Sequence, residues 1–118
     1  LLSDESKREL MEIEKEMGIT DEKRTQIYTY CKDISSETRE ELTDGLLRLL
    51  LVQKKGPLKT DLGKVIFHLQ KNERLNTLIG LQKLVNAALI VAPEEMYKIL
   101  ETSDQDAKEL AQKIKNIL

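Results

Sequence analysis

Basic side chains cluster in the middle of this chain, where they could bind phosphates or carboxylates. The Lys54-Lys55-Gly56-Pro57 sequence predicts a turn, and Lys64, His68 and Lys71 recur after it at the spacing of one helix face. The predicted interaction surface consists of Lys54, Lys55, Lys59, Lys64, His68 and Lys71. Lysines in such a cluster contact nucleic-acid phosphates or the carboxylates of an acidic protein, and here they could also face the chain's own acidic N-terminal helices.

The charges of the chain are segregated along its length. Among the 118 residues, 19 Lys and Arg nearly balance 21 Asp and Glu, but residues 1–44 carry a net charge of −6, residues 45–92 of +6 and residues 93–118 of −2. The acidic first part repels nucleic acid. The basic part is also the most apolar one, so we expect the core to be built chiefly from residues 45–92.

No catalytic, cofactor or metal site can be assembled from the residues present. His68 is the one histidine and Cys31 the one cysteine, which excludes an intramolecular disulfide and a Cys/His zinc site. The Gly56 to Lys64 stretch resembles a phosphate-binding loop, but six residues separate its glycines where the motif requires four, and Val65 replaces the hydroxyl residue. We therefore predict no enzyme activity, no cofactor and no small-molecule substrate, and we expect Cys31 to be a small core residue.

Helical periodicity runs through nearly the whole chain, and alternation typical of strands is missing. These patterns predict an all-α fold, a compact array of six or seven short helices with no sheet. One domain, residues 1–118, is expected, with charged peripheral helices in 1–34 and core helices in 35–118. The apolar stretch 75–92 predicts the central helix, which Lys83 and its amide neighbours make unsuitable as a membrane span.

Helix boundaries are indicated by capping residues. Ser3 or Ser6 is the expected start of the first helix, Gly18 its end, and Thr20 the start of the second. Ser35 and Ser36 begin a third helix, which we expect to continue to Lys54 and Lys55 and to be buried over residues 46–52. Another helix is predicted over 62–69. Pro93 opens a short helix, and Ser103 with Asp104 and Asp106 opens the last one.

The last helix carries a wide apolar face that needs a partner. Leu110, Ile114 and Ile117 recur along it at helical spacing, with Ala107 and Ala111 beside them. Because an exposed stripe of this length is unusual for a soluble monomer, we predict a docking helix formed by Leu110, Ile114 and Ile117. It could dock within the domain or between copies of the chain.

The leucine spacing in residues 62–101 resembles the repeated leucine pattern of the YrhD-like helical family. The resemblance is carried by the stretch Val-Ile-Phe-His-Leu-Gln-Lys-Asn-Glu-Arg-Leu-Asn-Thr-Leu-Ile-Gly-Leu-Gln-Lys-Leu-Val. That resemblance implies a small accessory protein, since some members accompany formate dehydrogenase or heterodisulfide-reductase systems. It implies no functional residue.

Taken together, the residues favour a non-catalytic helical interaction protein or accessory subunit that acts through protein–protein surfaces. The partner would be another protein or a second copy of the chain. The alternative is a nucleic-acid-binding regulator that uses the basic region 54–71. The charged first residues show no apolar targeting segment, and a single cysteine is normal in the cytoplasm, so we expect a cytoplasmic location.

Overall fold

The computed structural model describes residues 3–53, Asp61, Lys64 and residues 77–118. These residues contain six α-helices and no strand, which confirms the all-α prediction for this part of the chain. The helices are α1 (Asp4–Met17), α2 (Asp21–Cys31), α3 (Ser36–Leu51), α4 (Leu78–Val91), α5 (Pro93–Glu101) and α6 (Gln105–Ile117). Asp61 and Lys64 are also helical.

Capping side chains set most of the helix starts, as the sequence predicted. Ser3, Thr20 and Ser35 each accept a hydrogen bond from the backbone N–H three residues later. Ser3, rather than Ser6, is therefore the cap of α1. At the other end of α1, Gly18 adopts the left-handed conformation at φ 75°, and its N–H closes the helix on the carbonyls of Glu14 and Lys15.

Helix α4 lies at the centre of the described fold. It packs against α1, α2, α3 and α5. Its buried residues lie on more than one face, as expected for a helix surrounded by others: they are Gly80, Leu81, Leu84, Val85, Ala88, Leu89, Ile90 and Val91. Pro93 then begins α5 almost at once, because its ring suits the first turn of a helix and needs no N–H partner there.

The two N-terminal helices differ in how they meet this core. The apolar residues of α1, Leu10, Ile13 and Met17, are only partly buried, so α1 lies at the periphery. Helix α2 instead contributes Ile27 and Cys31 to the core, with exposed fractions of 0% and 1%. The charged residues on either side of this narrow apolar face remain exposed to solvent.

The end of α3 differs from the prediction. The helix stops at Leu51, before Lys54 and Lys55, and Val52 follows it as the C-cap. Leu46, Leu47, Leu49 and Leu50 are buried, whereas Leu51 and Val52 are 51% and 68% exposed.

The expectation that all of 46–52 is buried is therefore wrong at Arg48, which is exposed, and at the last two residues. The reason is geometric, because a helix of about 3.6 residues per turn directs only part of a continuous apolar run toward one core. The last turn of α3 thus leaves two large apolar side chains on the surface.

The docking helix predicted at the C-terminus is α6. It packs against α2, α3 and α5. Leu110 and Ile114 are 1% and 0% exposed, and Ile117 is partly buried against the same core. The structure thus places this apolar face inside the domain.

Replacing Leu110 by Ala should lower the free energy of unfolding by about 2–5 kcal/mol, because it removes buried methyl groups and leaves a cavity. Urea denaturation measures this loss. Lys108→Ala, an exposed change on the same helix, should stay within about 0.5 kcal/mol of the unmodified chain. A loss under about 1 kcal/mol for Leu110→Ala would contradict the packing described for α6.

Candidate interaction surface

The predicted basic surface lies mostly outside the described residues. This applies to Lys54, Lys55, Lys59, His68 and Lys71, and also to the predicted helix 62–69 apart from Lys64. Lys64 itself is helical and exposed. It lies one turn after Asp61, and its positive charge contributes to the low pKa of that carboxyl group.

Asp61 connects the basic middle of the sequence to the start of α1. The backbone N–H of Ser3 donates a hydrogen bond to Asp61 Oδ2 at 3.0 Å. Interactions with the hydroxyls of Ser3 and Ser6, together with that N–H, lower the pKa of Asp61 to about 2. The contact that joins residue 61 to the N-terminal helix is therefore made by a carboxylate at a helix N-terminus, where negative charge is stabilised.

Asp106 makes a similar long-range contact at the start of α3. Its Oδ2 accepts a hydrogen bond from the backbone N–H of Ser35 at 3.0 Å, and its Oδ1 accepts one from the Thr38 hydroxyl at 3.2 Å. Burial would raise the pKa of Asp106, but hydrogen bonds from Ser35, from its own backbone and from Thr38 together lower it. This carboxylate therefore ties α6 to the first turn of α3.

Two lysines of α6 are held against neighbouring helices. Lys113 Nζ lies 5.4 Å from the ring centre of Tyr30 and 3.4 Å from Asp33 Oδ2. Lys115 Nζ lies 4.9 Å from the ring centre of Tyr97 and forms an ion pair with Glu101. Each lysine combines a carboxylate with an aromatic face, so these cations help to position α6.

Cys31 has none of the properties of a reactive thiol. It is buried in the core, as predicted, and burial raises its pKa to about 12. Among the described residues, no group of three or more His, Cys, Asp and Glu side chains could hold a metal ion. Asp61 and Asp106, the acidic residues with clearly lowered pKa values, accept hydrogen bonds at helix N-termini.

An open groove with a volume of about 440 Å³ lies at the α1–α2 turn. Ile19 contributes a buried apolar side chain to its lining, and Met11 is 68% exposed. The Arg24 guanidinium group in this groove already forms ion pairs with Glu14 and Asp21. Its most prominent charged groups are therefore paired within the chain.

One face of α3 carries a row of exposed carboxylates. We define the acidic face of α3 as Glu37, Glu40, Glu41 and Asp44, which are all exposed. Their i, i+3, i+4, i+7 spacing aligns them on one side of the helix. Asp44 also lies 3.0 Å from Arg48, but both side chains are exposed and such a pair is weak.

A shallow groove of about 230 Å³ runs beside this face. We define the α3–α5 groove by Glu41, Leu42, Asp44 and Gly45 of α3 and by Ile99, Thr102 and Ser103 at the end of α5. Gly45 allows the two helices to approach, since a Cβ atom at this position would lie 3.3 Å from Ile99 Cγ2. A glycine inside a helix, next to aligned carboxylates, is the feature of the sequence that could have indicated this groove. The sequence does not show that Ile99 is the residue that packs against this glycine.

Comparison with known proteins finds no matching family model, no matching curated protein and no matching solved structure. In the part of the chain that the structure describes, none of the helices has the length and apolar character that a membrane span requires.

The Asp106 contact predicts a pH dependence of stability. Because folding lowers the pKa of Asp106, its ionised form stabilises the folded chain above the unfolded-state pKa of about 3.9, and this contribution is lost as the pH falls through the lowered folded-state value. Asp106→Asn should therefore be less stable than the unmodified chain at neutral pH, and the difference should shrink in acid. Urea denaturation at a series of pH values measures it.

The matched control is Glu109→Gln, which removes an exposed carboxylate from the same helix. This variant should follow the pH profile of the unmodified chain closely. A stability difference between Asp106→Asn and the unmodified chain that stays constant down to the acid limit would contradict the assigned role of Asp106.

Proposed function

We propose that this chain is a non-catalytic helical interaction protein or accessory subunit that acts through protein–protein surfaces. The observation that carries the proposal is the acidic face of α3, where four exposed carboxylates lie on one side of a helix whose opposite side is buried. A row of like charges on one side of a helix is suited to steer and orient a basic partner.

The environments of the cysteine and of the buried or hydrogen-bonded carboxylates support a non-catalytic role. In the described residues, the thiol is buried with a raised pKa, and two carboxylates with lowered pKa values hold helix starts. None of these groups is arranged as a nucleophile with an adjacent base. Binding through exposed charge needs no such arrangement.

An accessory role also agrees with the resemblance of residues 62–101 to the YrhD-like family. A cytoplasmic location is part of the same proposal, because an unpaired cysteine buried in the core suits a reducing compartment.

The proposal is tested by the size of the species that the tagged chain forms in an extract of its source cells. Size-exclusion chromatography with light scattering should show a complex larger than the chain alone, resistant to nuclease. Neutralising the acidic face with Glu37→Gln, Glu40→Gln, Glu41→Gln and Asp44→Asn should release the chain, because steering and orienting charges are lost. Partner identity is then read by mass spectrometry from the complex.

A matched control removes the same number of exposed charges elsewhere, through Glu5→Gln, Glu12→Gln, Glu16→Gln and Glu22→Gln on α1 and α2. The control should keep the complex, and both variants should keep the melting temperature of the unmodified chain to within a few degrees. A chain that elutes alone in every extract contradicts the proposal. A complex that nuclease destroys also contradicts it and favours the nucleic-acid-binding alternative through region 54–71.

A further inference from the structure

The α3–α5 groove has an apolar part and a charged edge. Ile99 is only partly buried against the core and supplies apolar surface, whereas Leu42 is fully buried behind the lining. Glu41 and Asp44 are exposed and bring two carboxylates to the α3 side, and the exposed pair that Asp44 forms with Arg48 is weak enough for another cation to replace Arg48. This combination fits a ligand with an apolar stem and a cationic end.

Ser103 adds a polar group to the same groove. Its Oγ atom is buried and has no hydrogen-bond partner in the structure, whereas the neighbouring Thr102 hydroxyl donates to the Lys98 carbonyl at 2.7 Å. A buried hydroxyl without a partner costs free energy, and a donor that enters the groove would remove this cost. Ser103 is separate from the two carboxylates and gives the groove a further group for a hydrogen-bonding ligand.

The size of the groove limits the ligand. Its volume of about 230 Å³ is below the range of about 300–1,000 Å³ in which cofactors and drug-sized molecules are bound. A single long side chain is the ligand that fits this space. Gly45 matters here because a side chain at this position would crowd Ile99 at the base of the groove.

We propose that the α3–α5 groove receives a lysine or arginine side chain from a basic segment of a protein partner. The methylene groups of that side chain pack on Ile99, its cation lies between Glu41 and Asp44, and a donor of the segment reaches Ser103 Oγ. Charge complementarity selects a basic segment, since the acidic face of α3 extends beyond the groove and carries the same sign. This inference rests on the proposed function and names the chemistry of the partner.

The test is an NMR titration of the isotope-labelled chain with a short, end-blocked oligolysine peptide at fixed ionic strength. Backbone amide shifts should saturate and be largest at Gly45 and Ser103. Glu41→Gln combined with Asp44→Asn should weaken binding about tenfold or more, because both charges that contact the cation are lost. Ser103→Ala should weaken it by a smaller factor.

The matched control is Glu37→Gln combined with Glu40→Gln, which removes the same charge from the same helix outside the groove. This control should change the affinity by no more than about threefold, as expected for exposed charges at a distance. An oligoglutamate peptide should produce no saturable shifts.

Three results would overturn the groove assignment. Equal weakening by the two double variants would show attraction to the whole acidic face. Shifts spread over α1 and α3 alike would show unspecific attraction to the acidic helices. Concentration-dependent changes at Gly45 and Ser103 without peptide would identify a second copy of the chain as the ligand.

Failure of the groove and failure of the proposed function are distinguishable. If the complex in cell extracts depends on the acidic face but survives Glu41→Gln with Asp44→Asn, the groove assignment is wrong and the interaction function stands. If the groove binds oligolysine but no complex forms in extracts, the interaction function is wrong.

Discussion

Burial of α4 is the constraint on which the rest of the described structure depends. Eight of its fourteen residues are buried, and four other helices pack around it. Each large apolar side chain that becomes fully buried contributes about 1.5–3 kcal/mol, so this single helix supplies much of the driving force that gathers its neighbours. Two of its polar residues lie at the edge, where Gln82 Nε2 donates to the Tyr28 carbonyl at 2.9 Å and Lys83 stays exposed.

Around this apolar centre, the polar side chains fix the positions of helix ends. Asp61 and Asp106 each reach a helix N-terminus that lies far away in the sequence. These contacts stabilise charged carboxylates and supply partners for backbone N–H groups that no helix can satisfy internally. The charges left on the surface, above all the acidic face of α3, are those available to another molecule.

Local features of the fold could be predicted from the sequence because they depend on neighbouring residues. Ser3, Thr20 and Ser35 cap helices through hydrogen bonds that span three residues, and Gly18 ends α1 through its own backbone conformation. The end of α3 was misjudged because a continuous apolar run does not reveal which of its residues meet the core. Leu51 and Val52 are exposed even though they extend the buried sequence.

The long-range contacts could not be predicted, because they depend on how segments far apart in the sequence pack together. The hydrogen bonds of Asp61 to Ser3 and of Asp106 to Ser35 join residues 58 and 71 positions apart. Nothing in the neighbouring sequence distinguishes these two aspartates from other acidic residues. The carboxylates of the α3–α5 groove can be read from the sequence, but the groove itself depends on the approach of Ile99 to Gly45, which only the packed structure defines.

Native-state hydrogen exchange of the full chain tests most directly whether α4 organises this fold. The slowest amides should lie in α4 and in the segments of α3 that pack on it, and their exchange free energies should equal the global free energy of unfolding from urea denaturation. The amides of α1 should exchange through smaller openings, since its apolar residues are only partly buried. Slower exchange in α1 than in α4, or exchange of α4 well below the global free energy, would contradict the account.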